Sequence, residues 1–202
     1  MADSGASFSI LDASDAGQVA EYEHHFYRAY ARLSDNKLVR LIWDWDDQHQ
    51  RLRARIPYAS QVIYCLRDER GSLAGAMAVN LTPAAAFQSA EFGFTPAHPT
   101  DGPSGLSCEI INLMATTHSR GPARSAYQAF IRDFGYADLV LRGFDTAFST
   151  CTRRRLRAYQ LFGATPLGET VINGEARYFL HWPIRDLLTA GPCVNARTLL
   201  PA

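Results

Sequence analysis

Between an apolar, strand-like run and a helical one, the chain carries Arg120-Gly121-Pro122-Ala123. A glycine-containing turn feeding a helix N-terminus gathers free backbone N–H groups and the positive end of the helix dipole at one point, which is the chemistry of phosphate or pyrophosphate binding. The same string also suits an ordinary strand-to-helix turn, and Pro122 removes one N–H from any such cradle. A second cationic string, Arg153-Arg154-Arg155-Leu156-Arg157, follows another strand and runs through Tyr159 to Gly163-Ala164. It reads as a solvated helix face or as a contact for phosphates or an acidic partner protein. The histidines (His24, His25, His49, His98, His118, His181) show no H-E-x-x-H or similar spacing, so no metal site is expected. Cys65, Cys108, Cys151 and Cys193 form no C-x-x-C pair, and the first three lie in apolar runs where a thiol behaves as a small hydrophobe. The expectation is a reduced, cytoplasmic protein without disulfides.

The elements that must position these groups follow from composition and periodicity. The 202 residues are 47% hydrophobic and 20% charged, which excludes a disordered chain. Twenty basic and twenty acidic residues cancel, which argues against a nucleic-acid protein that binds through bulk positive charge. No apolar run reaches the ~18 residues of a membrane span, and Met1 to Gly5 lacks the basic and apolar regions of a secretory signal. Residues 1–7 read as a loose tail and 8–57 as N-terminal helices. The first of these runs from Ala16 to Leu33, with Val19, Tyr22, Phe26, Tyr30 and Leu33 on one face. The second is expected over 36–55, stopped by Pro57. Residues 58–182 form the core: a hairpin over 60–81, a long loop over 82–105, a strand from Leu106 to Ala115, a helix over 122–142, a strand over 144–150, a helix over 153–162, and a last hairpin around Asn173-Gly174. Residues 183–202 are a C-terminal extension. One domain spans the chain.

Two strings then fall into place together. His118-Ser-Arg-Gly121-Pro-Ala123 resembles the R/Q-x-x-G-x-G/A pyrophosphate loop of the GNAT acyltransferase superfamily, with histidine at its first position. Tyr159-Gln-Leu-Phe-Gly163-Ala164 resembles that family's Y-x-x-x-G-F string, with alanine in place of phenylalanine. The resemblance covers residues 60–182. Within the superfamily the chain looks most like acyl-homoserine-lactone synthases and N-acyl amino acid synthases, on the strand string Glu109 to Ala115, the long helix over 122–142 and the aromatic, acidic N-terminal segment.

The resemblance implies an α/β, GNAT-like fold: a twisted mixed central sheet with splayed central strands, flanked by helices. It implies an N-acyltransferase that moves an acyl group from acyl-CoA or acyl-phosphopantetheine on an acyl carrier protein to a small-molecule amine by direct attack. Arg120, Gly121, Ala123 and Arg124 would hold the donor, with Leu113 and Met114 supplying backbone amides to it or to the oxyanion. An attacking amine must be neutral, so a base is needed, and Glu109 and His118 are the candidates. Tyr159 would protonate the leaving thiolate. Trp43 and Trp45, with Phe87, Phe92 and Phe94, would line an acyl or acceptor pocket. Each residue also has an ordinary structural reading: Glu109 a solvent-facing strand charge, His118 a turn residue, Tyr159 a ring packed on the sheet, the tryptophans core. A non-catalytic protein that binds an acyl thioester or a partner protein, or an enzyme with a non-amine acceptor, stays open as an alternative.

Overall fold

A computed structural model describes residues 5–33, 36–83, 86–94, 106–115 and 122–189. Seven strands form one sheet in the order β1-β4-β5-β6-β7-β9-β8. They are β1 (Ser7–Ile10), β4 (Gln61–Arg67), β5 (Leu73–Asn80), β6 (Leu106–Ala115), β7 (Phe144–Thr152), β8 (Thr165–Ile172) and β9 (Glu175–Trp182). Every neighbouring pair is antiparallel except β6 and β7, which run parallel. The two hairpins close as their turn residues dictate. Asp68 accepts the backbone N–H groups of Arg70 and Ser72, each at 2.9 Å. Asn173 and Gly174 adopt φ of 51° and 76°, the left-handed pair that a tight hairpin requires.

Two expectations are corrected. The second N-terminal helix does not run over 36–55. Helix α2 covers only Lys37–Ile42, and the chain then forms a separate hairpin of β2 (Trp43–Asp46) and β3 (Arg51–Ala54). Trp-Asp-Trp-Asp alternates with period two, the strand period, rather than the helical one. Asp44 then meets Arg53 at 3.5 Å and Arg55 at 2.9 Å, and Leu52 is buried. The tail over 1–7 ends earlier than expected, because Ser7 opens the edge strand β1, whose Phe8 ring lies 5.7 Å from both Phe130 and Phe134. The C-terminal extension contains a short helix, α6 (Ile184–Thr189).

Helix α1 (Ala16–Ala31) begins where the sequence reading placed it. Asp15 caps it by accepting the N–H groups of Gly17 and Gln18 at 2.8 and 3.1 Å. The helix expected over 122–142 is continuous but changes pitch: α3 (Pro122–Ala129), a π-helical stretch (Phe130–Tyr136) and α4 (Ala137–Leu141). Helix α5 (Arg153–Leu161) packs on β7 and β9. One apolar layer buries Tyr64, Met77, Phe130, Ile131, Leu139 and Trp182 between the sheet and α3–α4, α5 and α6. The other buries Tyr22, Phe26, Trp43, Ile63 and Met114 between the opposite face, α1 and the β2–β3 hairpin. None of the described helices is long and apolar enough to cross a membrane.

The pairing of β6 with β7 is incomplete. It runs from Leu106↔Phe144 to Glu109↔Phe148 and stops, although both strands continue, β6 to Ala115 and β7 to Thr152. The two central strands therefore splay after Glu109. This is the expected α/β, GNAT-like sheet with helices on both faces.

Candidate active site

Where β6 and β7 part, a cavity of about 50 Å³ opens, lined on the strand side by Glu109 to Leu113 and by Thr150 to Thr152. Tyr30 and Trp43 close it from the N-terminal layer, Gln88, Ser89 and Phe92 from the loop after β5, and Arg155, Tyr159 and Arg177 from α5 and β9. That volume holds a few water-sized groups, the scale of a small polar head group.

A bulge in β6 sets which side chains reach this space. Ala78 pairs with Asn112 but Val79 pairs with Ile110, so Ile111 is the extra residue. Ala78 and Asn80 share a face of β5, and their partners Asn112 and Glu109 therefore share a face of β6 although three positions apart. Without the bulge they would point to opposite faces.

Glu109 is buried, at 3% exposure, which removes the reading of a solvent-facing strand charge. Its carboxylate accepts the backbone N–H of Gln88 at 2.7 Å and of Ser89 at 2.8 Å, and the Asn80 amide stands 3.4 Å away. These two N–H groups open a 3-10 turn (Gln88–Phe92), so Glu109 caps it. Burial pushes the Glu109 pKa up, and the Ser89 and Gln88 backbone donors only partly pull it back. The result is a carboxylate that takes a proton more readily than an exposed one.

Tyr159 packs its ring on Trp182, with centroids 5.5 Å apart. Burial, reinforced by Tyr30, raises its pKa, so the phenol keeps its proton at neutral pH, and its oxygen accepts from the Arg155 guanidinium. The Arg155 guanidinium stands 5.5 Å from the Tyr30 ring centroid. Arg177 is ion-paired with Glu175 at 3.0 Å, both side chains being largely buried. Trp43, 4% exposed, packs tilted against Phe26 and edge-on to Tyr30 and donates its indole N–H to Gln88 Oε1 at 3.0 Å.

Of the residues singled out in the sequence, Glu109, Leu113, Tyr159, Trp43 and Phe92 meet at this cavity. Met114 is buried beneath α1 and the β2–β3 hairpin instead. Trp45 stands apart from the cavity lining: its indole N–H donates to the Val39 carbonyl at 3.0 Å and its ring carries the Arg40 guanidinium at 3.6 Å. Phe87 and Phe94 pack with Phe148 and Phe179 in a separate aromatic cluster. His118, Arg120 and Gly121 lie outside the described residues, and Ala123 and Arg124 belong to the first turn of α3. The sequence reading did not single out Asn112, Arg177, Gln88 or Ser89. Asn112 carried a signal, being the one uncharged polar side chain within Ile-Ile-Asn-Leu-Met. Of the Arg153–Arg157 string, read in the sequence as a solvated helix face or a contact for phosphates or an acidic partner, Arg155 lines the cavity.

No protein-family model and no curated protein sequence matches the chain. Solved structures do match its fold. The acyl-homoserine-lactone synthase LasI is 10% identical, with 95% of this chain and 98% of that chain covered at a TM-score of 0.64. BjaI, a CoA-dependent acyl-homoserine lactone synthase solved with SAM and isopentyl-CoA, is 14% identical, with 91% and 86% covered at 0.63. FeeM, an N-acyl amino acid synthase from uncultured soil microbes, is 14% identical, with 90% and 92% covered at 0.54.

Proposed function

We infer that this protein is an N-acyltransferase. It moves an acyl group from an acyl thioester, carried on coenzyme A or an acyl carrier protein, to the amine of a small molecule by direct attack. The observation that carries this reading is the splay of β6 from β7 after Glu109, which opens a cavity where a buried carboxylate and a protonated phenol face the same space. The likeness of the fold to synthases of acyl-homoserine lactones and N-acyl amino acids supports it, and so does the isopentyl-CoA that accompanies BjaI.

Each group then has a task. Glu109, its proton affinity raised by burial, takes the proton from the acceptor's ammonium and frees the nitrogen lone pair. The amine attacks the thioester carbonyl, and a strand amide near Leu113 or Met114 stabilises the oxyanion. The tetrahedral intermediate collapses, the C–S bond breaks, the Tyr159 hydroxyl protonates the departing thiolate, and the second proton that the acylated nitrogen loses returns to the Tyr159 oxygen. The donor pyrophosphate is held where Arg120, Gly121, Ala123 and Arg124 lead into α3, and His118 is a second candidate for the base.

The test is a mass-spectrometric screen of acyl-CoA and acyl-carrier-protein donors against pooled amines, with free thiol followed in parallel. An N-acyl product accompanied by stoichiometric thiol is the expected result. Donor bound without thiol release in any amine pool makes the protein a binding module instead.

A further inference from the structure

We propose that Asn112 recognises the acceptor's amine, its Oδ1 accepting an N–H from the nitrogen that is to be acylated. This deepens the acyl-transfer reading above and rests on it. Four observations carry it. Asn112 is 2% exposed, so its amide has no access to bulk water. Its Nδ2 donates to the Tyr22 hydroxyl at 3.4 Å, whereas Oδ1 has no hydrogen-bond partner among the described residues. An acceptor left unpaired in the interior is costly, and native structures keep one where a ligand or ion completes it. Finally, the β6 bulge turns Asn112 onto the face that carries Glu109, and both line the same cavity.

The chemistry of the pair fits one ligand class. A carboxylate beside a neutral carbonyl acceptor is complementary to a primary ammonium group. Glu109 balances its charge and removes one proton, and Asn112 holds a second N–H. Once that proton has moved to Glu109, the amine still has a hydrogen for Oδ1 and presents its lone pair elsewhere. Asn112 thus fixes the orientation of the nucleophile without competing for its lone pair, because a carbonyl oxygen can only accept.

The test is calorimetric titration of the protein with free amino acids and n-butylamine, and with butyrate as the matched anion, in wild type, Asn112→Leu and Asn112→Asp. Wild type should bind one or more of the amines. The leucine variant, which lacks the acceptor, should bind them at least about tenfold more weakly with coenzyme A binding unchanged. The aspartate variant keeps acceptor oxygens and should stay within about threefold of wild type. Should the leucine variant fail to fold, the aspartate variant decides alone. Absence of amine binding in wild type, equal amine binding in the leucine variant, a tenfold loss in the aspartate variant, or binding of butyrate in place of n-butylamine would each overturn the proposal. Failure of the acyl-transfer reading looks different: amines bound through Asn112, yet acylated from no donor.

Discussion

Glu109 accepts the backbone N–H of Gln88 at 2.7 Å, tying the point where the central strands part to the 3-10 turn that walls the cavity. Glu109→Gln keeps the shape but leaves one acceptor where there were two, and turns an NH₂ toward a backbone N–H. We expect a stability loss of about 1–3 kcal/mol, the cost of a buried group left unpaired, and turnover reduced roughly 10²-fold or more if Glu109 is the base. The pH dependence separates the charge from the shape. The folded pKa lies above the unfolded one, so wild type loses stability as pH rises from the ordinary glutamate range through the raised value. The glutamine variant lacks that loss, and the stability gap between the two should narrow with rising pH. Melting curves at several pH values check this; a gap that widens sinks the assignment of a raised pKa.

The strand that carries Glu109 was plain in the sequence because Leu106 to Ala115 is mostly apolar, has Ile110 and Ile111 at its centre and contains no glycine or proline. The order of core elements, the α1 stripe and the Asn173-Gly174 turn were legible for the same kind of reason: each is a local pattern with one physical solution. What was not legible is non-local. The extra residue at Ile111 exists only relative to β5, and it alone places Asn112 beside Glu109. The burial of Glu109 depends on the Gln88–Ser89 turn, which lies 20 and 21 residues away along the chain. The β2–β3 hairpin was missed because the Trp-Asp alternation spans only four residues and no glycine or proline marks the turn between Asp46 and Arg51.

Gly135 tests the packing of the π-helical stretch. A Cβ at this position would lie 2.3 Å from Met77 Cε, inside a fully buried layer. Alanine gains about 1 kcal/mol of helix propensity over glycine, but overfilling a packed core costs about 1–3 kcal/mol. We therefore expect Gly135→Ala to lower the melting temperature. Combining it with Met77→Leu, which deletes the clashing methyl, should recover most of the loss; a stabilised single variant would show that Met77 moves aside freely.

His25 gives the fold an acid-sensitive point. Burial, with Arg28 adding to it, pushes its pKa down to about 4 from 6.5. The unfolded chain then binds the proton more readily than the folded one, so stability is lost as pH falls from about 6.5 to 4. Because the ring is partly open to solvent, we expect this loss to amount to about 1–2 kcal/mol. His25→Gln should lose less stability than wild type across that window in denaturant titrations. Parallel curves for the two proteins would exclude His25 as a source.

Gly121 addresses the donor loop. If the backbone at this position approaches the donor pyrophosphate closely, a β-branched side chain obstructs it. Gly121→Val should weaken coenzyme A binding about tenfold or more while the melting temperature holds. Unchanged affinity in the folded variant would move the pyrophosphate site elsewhere.

Tyr159 carries both a packing and a chemical reading, and one atom divides them. Its ring rests on Trp182, and its hydroxyl, kept protonated by burial, faces the cavity beside Arg155. Tyr159→Phe removes only the hydroxyl, so the ring contact survives and melting should shift little. If the phenol protonates the thiolate, kcat falls about tenfold or more. The loss should shrink with donors whose thiolate leaves readily unprotonated, such as an aryl thioester, because a good leaving group needs the proton less. If the ring alone matters, phenylalanine is silent in rate, and only Tyr159→Ala is harmful, through lost packing of about 3–5 kcal/mol at most for a ring this partly exposed. Measuring kcat and melting temperature for both variants, with an alkyl and an aryl thioester, decides between them. A phenylalanine variant with wild-type turnover on the alkyl donor removes Tyr159 from the proton path and leaves thiolate protonation to another group.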